Sequence, residues 1–203
     1  DLIFSLVSNA KNTNKNIPII LMGYYNIILH YGVKRFVNQC LLNGVSGLII
    51  VDLQPEEDIE LFKELKENNI DLIRLITPTT DEDRLKLILK NASGFLYLVS
   101  VMGTTGQKSA KMEDITKYIN FIKQHSNLPV IPGFGIKDEL DVNNICKVAD
   151  GAVVGSSIIK IIEENLNNKK KMLIEIDDFV KKLKNGTVVW TGWPILLNPN
   201  YLH

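Results

Sequence analysis

Six short runs of apolar residues, each followed by a segment of helical periodicity, constrain the fold of this chain more than any other feature. The runs cover residues 17–22, 47–51, 71–76, 94–99, 129–131 and 151–154. Strands that are apolar on both faces are typical of a parallel sheet covered by helices. The repeat of roughly 25 to 30 residues matches the rhythm of a (β/α)8 barrel. We therefore predict an α/β fold of the parallel TIM barrel family with about six βα units, and a doubly wound open sheet is the alternative.

Polar and glycine-rich residues follow nearly every run at its carboxyl end. This favours the barrel, because an open sheet concentrates its site at one switch point. Six strands fall short of the eight that close a barrel, and 203 residues fall short of the roughly 250 typical of the fold. The sequence therefore predicts an incomplete barrel.

The two ends of the chain differ in character from its middle. Residues 1–10 predict a helix that leads into a polar linker at 11–16, and residues 170–184 predict the last helix. Asn185 and Gly186 predict a turn after that helix. We expect a partial barrel domain over 1–184 and an atypical tail over 185–203. An artefactual or frameshifted tail and a tail that covers an exposed sheet edge both stay open.

Composition limits the classes of partner. Lys and Arg total 23 and so do Asp and Glu. The chain therefore has no net positive charge that would favour binding to nucleic acid or an anionic membrane. Small molecules or proteins are the expected partners. Cys40 and Cys146 stand alone in apolar segments and predict buried thiols in a reducing compartment. The sequence shows no metal-ligand spacing, transmembrane run or secretion signal, and we expect a cytoplasmic protein.

Two turns of small residues follow consecutive predicted strands. Gly133-Phe134-Gly135 closes the fifth strand, and Gly155-Ser156-Ser157 stands directly before the helix that follows the sixth. A small-residue turn at a helix N-terminus gathers unpaired N–H donors at the positive end of the helix dipole. In parallel barrels, the loops after the last two strands often bind a phosphate group. The two turns together predict one phosphate site.

Five motifs occur in the order of a known family. They are Pro18-Ile-Ile-Leu-Met-Gly-Tyr-Tyr-Asn, Val51-Asp-Leu-Gln-Pro-Glu-Glu, Tyr97-Leu-Val-Ser-Val-Met-Gly-Thr-Thr-Gly, Gly133-Phe-Gly-Ile and Gly155-Ser-Ser-Ile-Ile-Lys. In these segments the chain resembles the tryptophan synthase alpha chains, over about residues 1–184. The resemblance implies a barrel enzyme that cleaves indole-3-glycerol phosphate into indole and glyceraldehyde 3-phosphate.

The resemblance also assigns substrate-site roles by motif. The residues that would offer backbone N–H groups to the substrate phosphate are Gly106, Gly135, Gly155 and Ser156. The residues of the substrate pocket would be Tyr24, Tyr97, Thr105 and Phe134. Within the pocket, Phe134 would pack against the indole ring and Thr105 would lie in a mobile loop that excludes water. Core tyrosines at strand ends are the alternative for Tyr24 and Tyr97.

The resemblance further implies a partner. Asn26 and Asp52 would face a tryptophan synthase beta chain in an alpha2-beta2 complex, and Asp52 would relay the state of that chain. The pyridoxal phosphate of the enzyme would belong to the beta chain, with no cofactor in this one. The alternative for Asp52 is a carboxylate at a helix N-terminus, near the dipole.

Some family features are not found in these residues. The family places a catalytic Glu at the end of its second strand and an Asp in the following SDPxADGP loop, and neither motif occurs in the sequence. General acid and base groups typically contribute ~10² to 10⁴-fold each, so the residues present predict a very poor catalyst. Gln54 stands where the family has Pro, which implies a looser loop. A non-catalytic fragment that binds the beta chain and another phosphate-binding barrel enzyme stay open as alternatives.

Overall fold

The computed structural model describes residues 2–99, 112–133 and 135–187. Helices and strands alternate along most of this part of the chain. In chain order they are α1 (Leu2–Thr13), β1 (Ile20–Gly23), α2 (Tyr25–Tyr31), α3 (Val33–Asn43), β2 (Gly47–Ile50), α4 (Ile59–Glu67), β3 (Asp71–Ile76), α5 (Glu82–Leu89), β4 (Leu96–Val99), α6 (Met112–His125), β5 (Val130–Gly133), α7 (Glu139–Cys146), α8 (Ser156–Glu164) and α9 (Lys169–Gly186).

The chain divides into two compact units. The first holds the residues up to Leu75 together with Thr80–Leu96, and the second holds Ile76–Thr79 and the described residues from Tyr97 onward. In the first unit, β1, β2 and β3 pair in parallel and in that order. Ile20 lies opposite Gly47, and Gly47 lies opposite Asp71. The strands therefore end at one edge, where their following loops meet.

The core of the first unit contains the apolar faces that the sequence pattern predicts. Buried side chains from the helices and from the strands form one cluster, which includes Phe4, Val7, Val37, Cys40, Leu48, Ile50, Leu61, Leu65 and Leu72. The strand members of this cluster, such as Leu48 and Leu72, lie on one face of the sheet, and Ile49 and Ile73 are buried on the opposite face, as the uniformly apolar runs predicted. This packing fixes where each strand ends, and thus where the loops that carry the candidate residues begin.

In the second unit, β4 and β5 are neighbours, and β5 bonds to the segment that follows α7. Gly133 forms a parallel bridge with Val153, and the Val153 amide donates to the Pro132 carbonyl at 2.9 Å. A strand was predicted over residues 151–154, whereas only this single bridge forms. Pro132 has no N–H group, so it cannot donate the next bond of the ladder, and the pairing stops there.

The structure corrects three further boundaries. Helix α1 continues to Thr13 instead of ending at residue 10, and its last turn is joined by a hydrogen bond from Thr13 Oγ1 to the Asn9 carbonyl at 3.1 Å. Helix α2 begins at Tyr25, in a segment for which no helix was predicted. Asn185 and Gly186 belong to α9, where Asn143 Nδ2 donates to the Gly186 carbonyl at 3.4 Å. The division into 1–184 and a tail stays a prediction, because residues 188–203 lie outside the described residues.

The two cysteines differ in burial. Cys40 is fully buried, and burial raises the pKa of its thiol to about 12. Cys146 is only partly buried, which corrects the expectation of two buried thiols. Burial and then the Asp150 carboxylate raise the pKa of Cys146. Neither thiol has the low pKa of a reactive cysteine.

Candidate functional site

A side-chain hydrogen bond joins the two turns of small residues at 133–135 and 155–157, here called the glycine-rich turns. Ser157 Oγ donates to the Ile136 carbonyl at 2.7 Å. Ile136 follows Gly135 directly, and Ser157 follows Ser156, so the turn after β5 and the N-terminus of α8 lie side by side. The pairing of Gly133 with Val153 already brings both turns to the same end of neighbouring segments. Three of the four predicted phosphate-binding residues are thus gathered in one place.

The backbone of these turns is suited to the close approach of an anion. Gly135 has a φ of +40°, a region that side-chain-bearing residues rarely adopt. Apart from Gly155 and its two chain neighbours, no described residue has a heavy atom within 4 Å of the position that a Cβ would take at Gly155. Ser156 begins α8, whose first turn is fully described and holds no acidic side chain. The first N–H groups of a helix lack intrahelical partners and favour negative charge.

Tyr97 lies against the turn after β5. An added Cβ on Gly133 would be 2.7 Å from Tyr97 Cζ, so the tyrosine ring occupies the space that the missing side chain leaves. Tyr97 is half-buried, and burial raises the pKa of its hydroxyl. The hydroxyl is therefore protonated at neutral pH and can donate a hydrogen bond. Its role as a pocket residue stays a prediction.

The loops after β1 and β2 meet in the first unit. The Tyr25 amide, at the start of α2, donates to Asp52 Oδ1 at 2.7 Å. Tyr24 is the residue before α2 and makes no side-chain cap, so Asp52 satisfies this helix N-terminus from the neighbouring loop. Asp52 thus lies at a helix N-terminus, although this helix is α2 and not the one that follows it in the chain. Asn26 is exposed in the same first turn.

Tyr24 is 57% exposed, so its alternative interpretation as a core residue is wrong. Its side chain is accessible at the end of β1, as a pocket or partner contact requires. Three other predicted site residues, Thr105, Gly106 and Phe134, lie outside the described residues. Their roles stay predictions.

The structure shows one polar cluster that the sequence reasoning missed. The cluster consists of Asp58, Arg74 and Asn91 and lies against the loop of residues 52–58. Arg84 contacts the same loop from outside the cluster. Arg74 forms an ion pair with Asp58, and both side chains are buried. Asn91 Nδ2 donates to Asp58 Oδ1 at 2.9 Å. The only signal in the sequence is a charged residue in the otherwise apolar segment Leu72-Ile73-Arg74-Leu75-Ile76.

The described part of the chain contains no group of three or more His, Cys, Asp or Glu side chains that could hold a metal ion. None of its helices is both long enough and apolar enough to span a membrane.

The fold and the position of the candidate site define the class of this protein. It is a parallel β/α protein whose candidate residues lie in the loops that follow its strands. The chain belongs to the tryptophan synthase alpha chain family, because the model of that family matches residues 1–188. The resemblance stated from its motifs is confirmed. The alternative of a different phosphate-binding barrel enzyme is thereby excluded.

Individual relatives agree with the family model. The chain is 47% identical to the tryptophan synthase alpha chain of Petrotoga mobilis over 182 residues, which cover 90% of this chain and 70% of that protein. The crystal structure of tryptophan synthase subunit alpha from Legionella pneumophila str. Paris is 31% identical, with a TM-score of 0.82 over 91% of this chain and 68% of that one. A chain of the tryptophan synthase a2b2 complex from Pyrococcus furiosus is 32% identical, with a TM-score of 0.78 over 90% of this chain and 72% of that one.

These comparisons confirm the fold class, the barrel family of the tryptophan synthase alpha chains. The family consists of lyases of tryptophan biosynthesis. Its alpha chains carry no cofactor, since the pyridoxal phosphate belongs to the beta chain.

Proposed function

We propose that this chain binds indole-3-glycerol phosphate as an alpha chain of tryptophan synthase. The observation that carries the proposal is the hydrogen bond from Ser157 to the Ile136 carbonyl, which holds the two glycine-rich turns together. Amide groups of Gly135, Gly155 and Ser156, with Gly106 from the loop after β4, bind the substrate phosphate. Amide donors suit this task because unpaired N–H groups can bind an anion without a charged side chain, and the helix dipole adds a favourable electrostatic field.

The remaining pocket residues hold the indole and glycerol parts. Tyr97 and Tyr24 line the pocket, and Phe134 packs against the indole ring. Thr105 lies in the loop that closes over the substrate and excludes water. The support for this arrangement is the position of Tyr97 against Gly133, which places an aromatic ring with a protonated hydroxyl beside the turn that binds phosphate.

The chemistry of cleavage needs two carboxylates. One moves protons as the carbon–carbon bond breaks, and the other stabilises the positive charge that forms when the indole ring is protonated. The family motifs that supply them are not among the 203 residues. We therefore propose that a polypeptide of these residues binds the substrate and cleaves it poorly.

The proposed partner is a tryptophan synthase beta chain. The support is that the structural relative from Pyrococcus furiosus comes from an a2b2 complex, and that Asp52 and Asn26 are both exposed, with Asp52 bonded to the amide of Tyr25, the residue before Asn26. In this interpretation, a chain that lacks the carboxylates still activates its beta chain. A cytoplasmic location stays a prediction.

Variants of Ser156 test the phosphate site. Proline at this first helical position removes the amide donor, whereas alanine removes only the hydroxyl group. A hydrogen bond to a charged group contributes about 1.5–3 kcal/mol, so Ser156→Pro is expected to weaken binding of indole-3-glycerol phosphate by roughly tenfold or more. Ser156→Ala is the matched control and should bind as the unchanged chain does. Calorimetric titration measures both. Equal affinities for the two variants would contradict the proposed amide contact.

An activity assay tests the catalytic part. Indole formation by the 203-residue chain is measured beside that of the Petrotoga mobilis alpha chain, each with and without a beta chain. We expect a rate at least about 10²-fold lower for the 203-residue chain, because the acid and base groups are not among its residues. The activity of the beta chain with indole and serine should still rise when this chain is added. A normal rate of indole formation would show that other residues of this chain supply the chemistry.

A further inference from the structure

The loop of residues 52–58 connects β2 to α4 and carries a candidate partner residue, Asp52. Apart from Leu53 and Asp58, its side chains are exposed or half-buried. One backbone hydrogen bond closes it internally, from the Glu57 amide to the Gln54 carbonyl at 3.0 Å. The position of Asp52 therefore depends on what holds the two ends of the loop.

One guanidinium group contacts both ends. Arg74 projects from β3, where it is 5% exposed. Its Nη1 donates to the Leu53 carbonyl at 3.2 Å, at the start of the loop. Its Nη2 forms an ion pair with the fully buried carboxylate of Asp58, at the end of the loop. The rigid planar fork of arginine can span two acceptors in this way, whereas a lysine ammonium is a single point charge.

Two further side chains complete the arrangement. Asn91, which follows α5, donates to the second oxygen of the Asp58 carboxylate at 2.9 Å. On the exposed side, Arg84 contacts the side chains of Gln54 and Glu56 in the middle of the loop. Gln54 stands where the family has proline, so the contact with Arg84 restrains a position that would otherwise be looser. Exposed pairs of this kind contribute little to stability, so the buried contacts of Arg74 dominate.

A gain in stability does not account for the buried ion pair of Arg74 and Asp58. Burial lowers the pKa of Arg74 to about 10, so the side chain is still charged at neutral pH and the cost of its desolvation remains. Arg74 Nε donates to no group among the described residues, which adds to that cost. Apolar residues of similar volume often replace a buried ion pair without loss of stability. Arg74 fixes the distance between Leu53 and Asp58 because it bonds to both residues, whereas apolar residues cannot do this.

Asp52 connects the restrained loop of residues 52–58 to α2. Asp52 immediately precedes Leu53, whose carbonyl Arg74 holds, and Asp52 Oδ1 accepts the Tyr25 amide at 2.7 Å. We propose that Arg74 is a positioning residue that fixes residues 52–58 through Leu53 and Asp58, so that Asp52 caps α2. The further consequence, that Arg74 sets the position of Asp52 and Asn26 toward a beta chain, rests on the proposed function.

Amide hydrogen exchange in the full 203-residue chain tests this positioning role. The double variant Arg74→Met with Asp58→Leu removes both charges and keeps an apolar volume. We expect its melting temperature to stay within a few degrees of the unchanged chain, while the Tyr25 amide exchanges about five- to tenfold faster, as expected for loss of a helix cap. The Val51 amide, which donates to the Gly23 carbonyl at 3.0 Å, is the internal reference. Unchanged Tyr25 exchange in the folded double variant overturns the proposal.

Three other variants complete the test. Asp52→Ala removes the cap of α2 directly, so its Tyr25 exchange rate gives the upper limit for the other variants. Arg74→Lys keeps the charge and loses the fork, so it guards against a double variant that does not fold. Faster Tyr25 exchange in Arg74→Lys supports the role of the fork, and exchange at the unchanged rate overturns it. Lys123→Met is the control, because it removes the pair with Asp150 in the other unit and should leave Tyr25 exchange unaltered.

Affinity for a beta chain separates this proposal from the proposed function. If Asp52→Ala and the Arg74 variants all weaken beta-chain binding and speed Tyr25 exchange, both are supported. If the Arg74 variants speed exchange but not even Asp52→Ala alters affinity, the positioning role is supported and the partner surface is overturned. If Asp52→Ala weakens binding while the Arg74 variants change neither quantity, the positioning role is overturned and the partner surface is supported.

Discussion

Replacing Gly133 with alanine is expected to displace the Tyr97 ring and to weaken binding of indole-3-glycerol phosphate about tenfold, which corresponds to about 1.4 kcal/mol. A Cβ at this position overlaps the end of the tyrosine side chain and would lie 2.7 Å from its Cζ atom. Because the overlapping atoms belong to a side chain that can rotate, the ring will move before the strands separate. Stability should therefore fall by about 1 kcal/mol, the lower end of the range for overpacking.

Gly151→Ala is the matched control for this prediction. It adds the same methyl group on the segment that bonds to β5, but its nearest neighbour, Ile131 Cγ2, is 3.6 Å away, which is an ordinary contact. Titration calorimetry with the substrate and thermal unfolding measure the two effects separately. If Gly133→Ala binds the substrate as tightly as Gly151→Ala does, Tyr97 is not part of the pocket.

Gly186→Ala is expected to act on stability instead, with a loss of about 1–3 kcal/mol in the free energy of unfolding. Gly186 is buried at the end of α9, and an added Cβ would overlap the backbone carbonyl of Glu139, the first residue of α7. A backbone carbonyl cannot rotate away, so α7 and α9 must separate. Alanine is otherwise the better helix former by about 1 kcal/mol, which makes a loss of stability a clear sign of the close contact.

The control for Gly186→Ala is the neighbouring Asn185→Ala. Asn185 is exposed on the same last turn, so its replacement should change stability by no more than about 0.5 kcal/mol. Denaturant unfolding measures both variants. A Gly186→Ala chain that is as stable as the control would show that α7 and α9 do not pack as closely as described.

The predicted fold and the observed one agree where local patterns decide. The apolar runs became strands at 47–50, 71–76 and 96–99 because burial on both faces leaves an unbroken apolar run in the sequence. The same reasoning failed at residues 151–154, where a proline in the neighbouring strand removed a ladder donor and left only the bridge at Val153. It also missed α2, since this helix has seven residues and its cap comes from Asp52, far along the chain.

The candidate site divides in the same way. The glycines at 135 and 155 could be recognised from the sequence, because turns before helices have a residue preference with a local cause. Arg74 could not be assigned a role, since nothing near it in the chain indicates which groups it contacts. Its partner carbonyl belongs to Leu53, and strand pairing in the first unit brings the two together.

By itself, the sequence determined most of the strands, the class of parallel fold and the positions of the glycine-rich turns, because each of these depends on neighbouring residues. Only the tertiary structure decided which loops are joined. Asp52 bonds to an amide 27 residues away, and Ser157 to a carbonyl 21 residues away. Such pairs depend on strand order and register, which many residues set together and no single segment encodes.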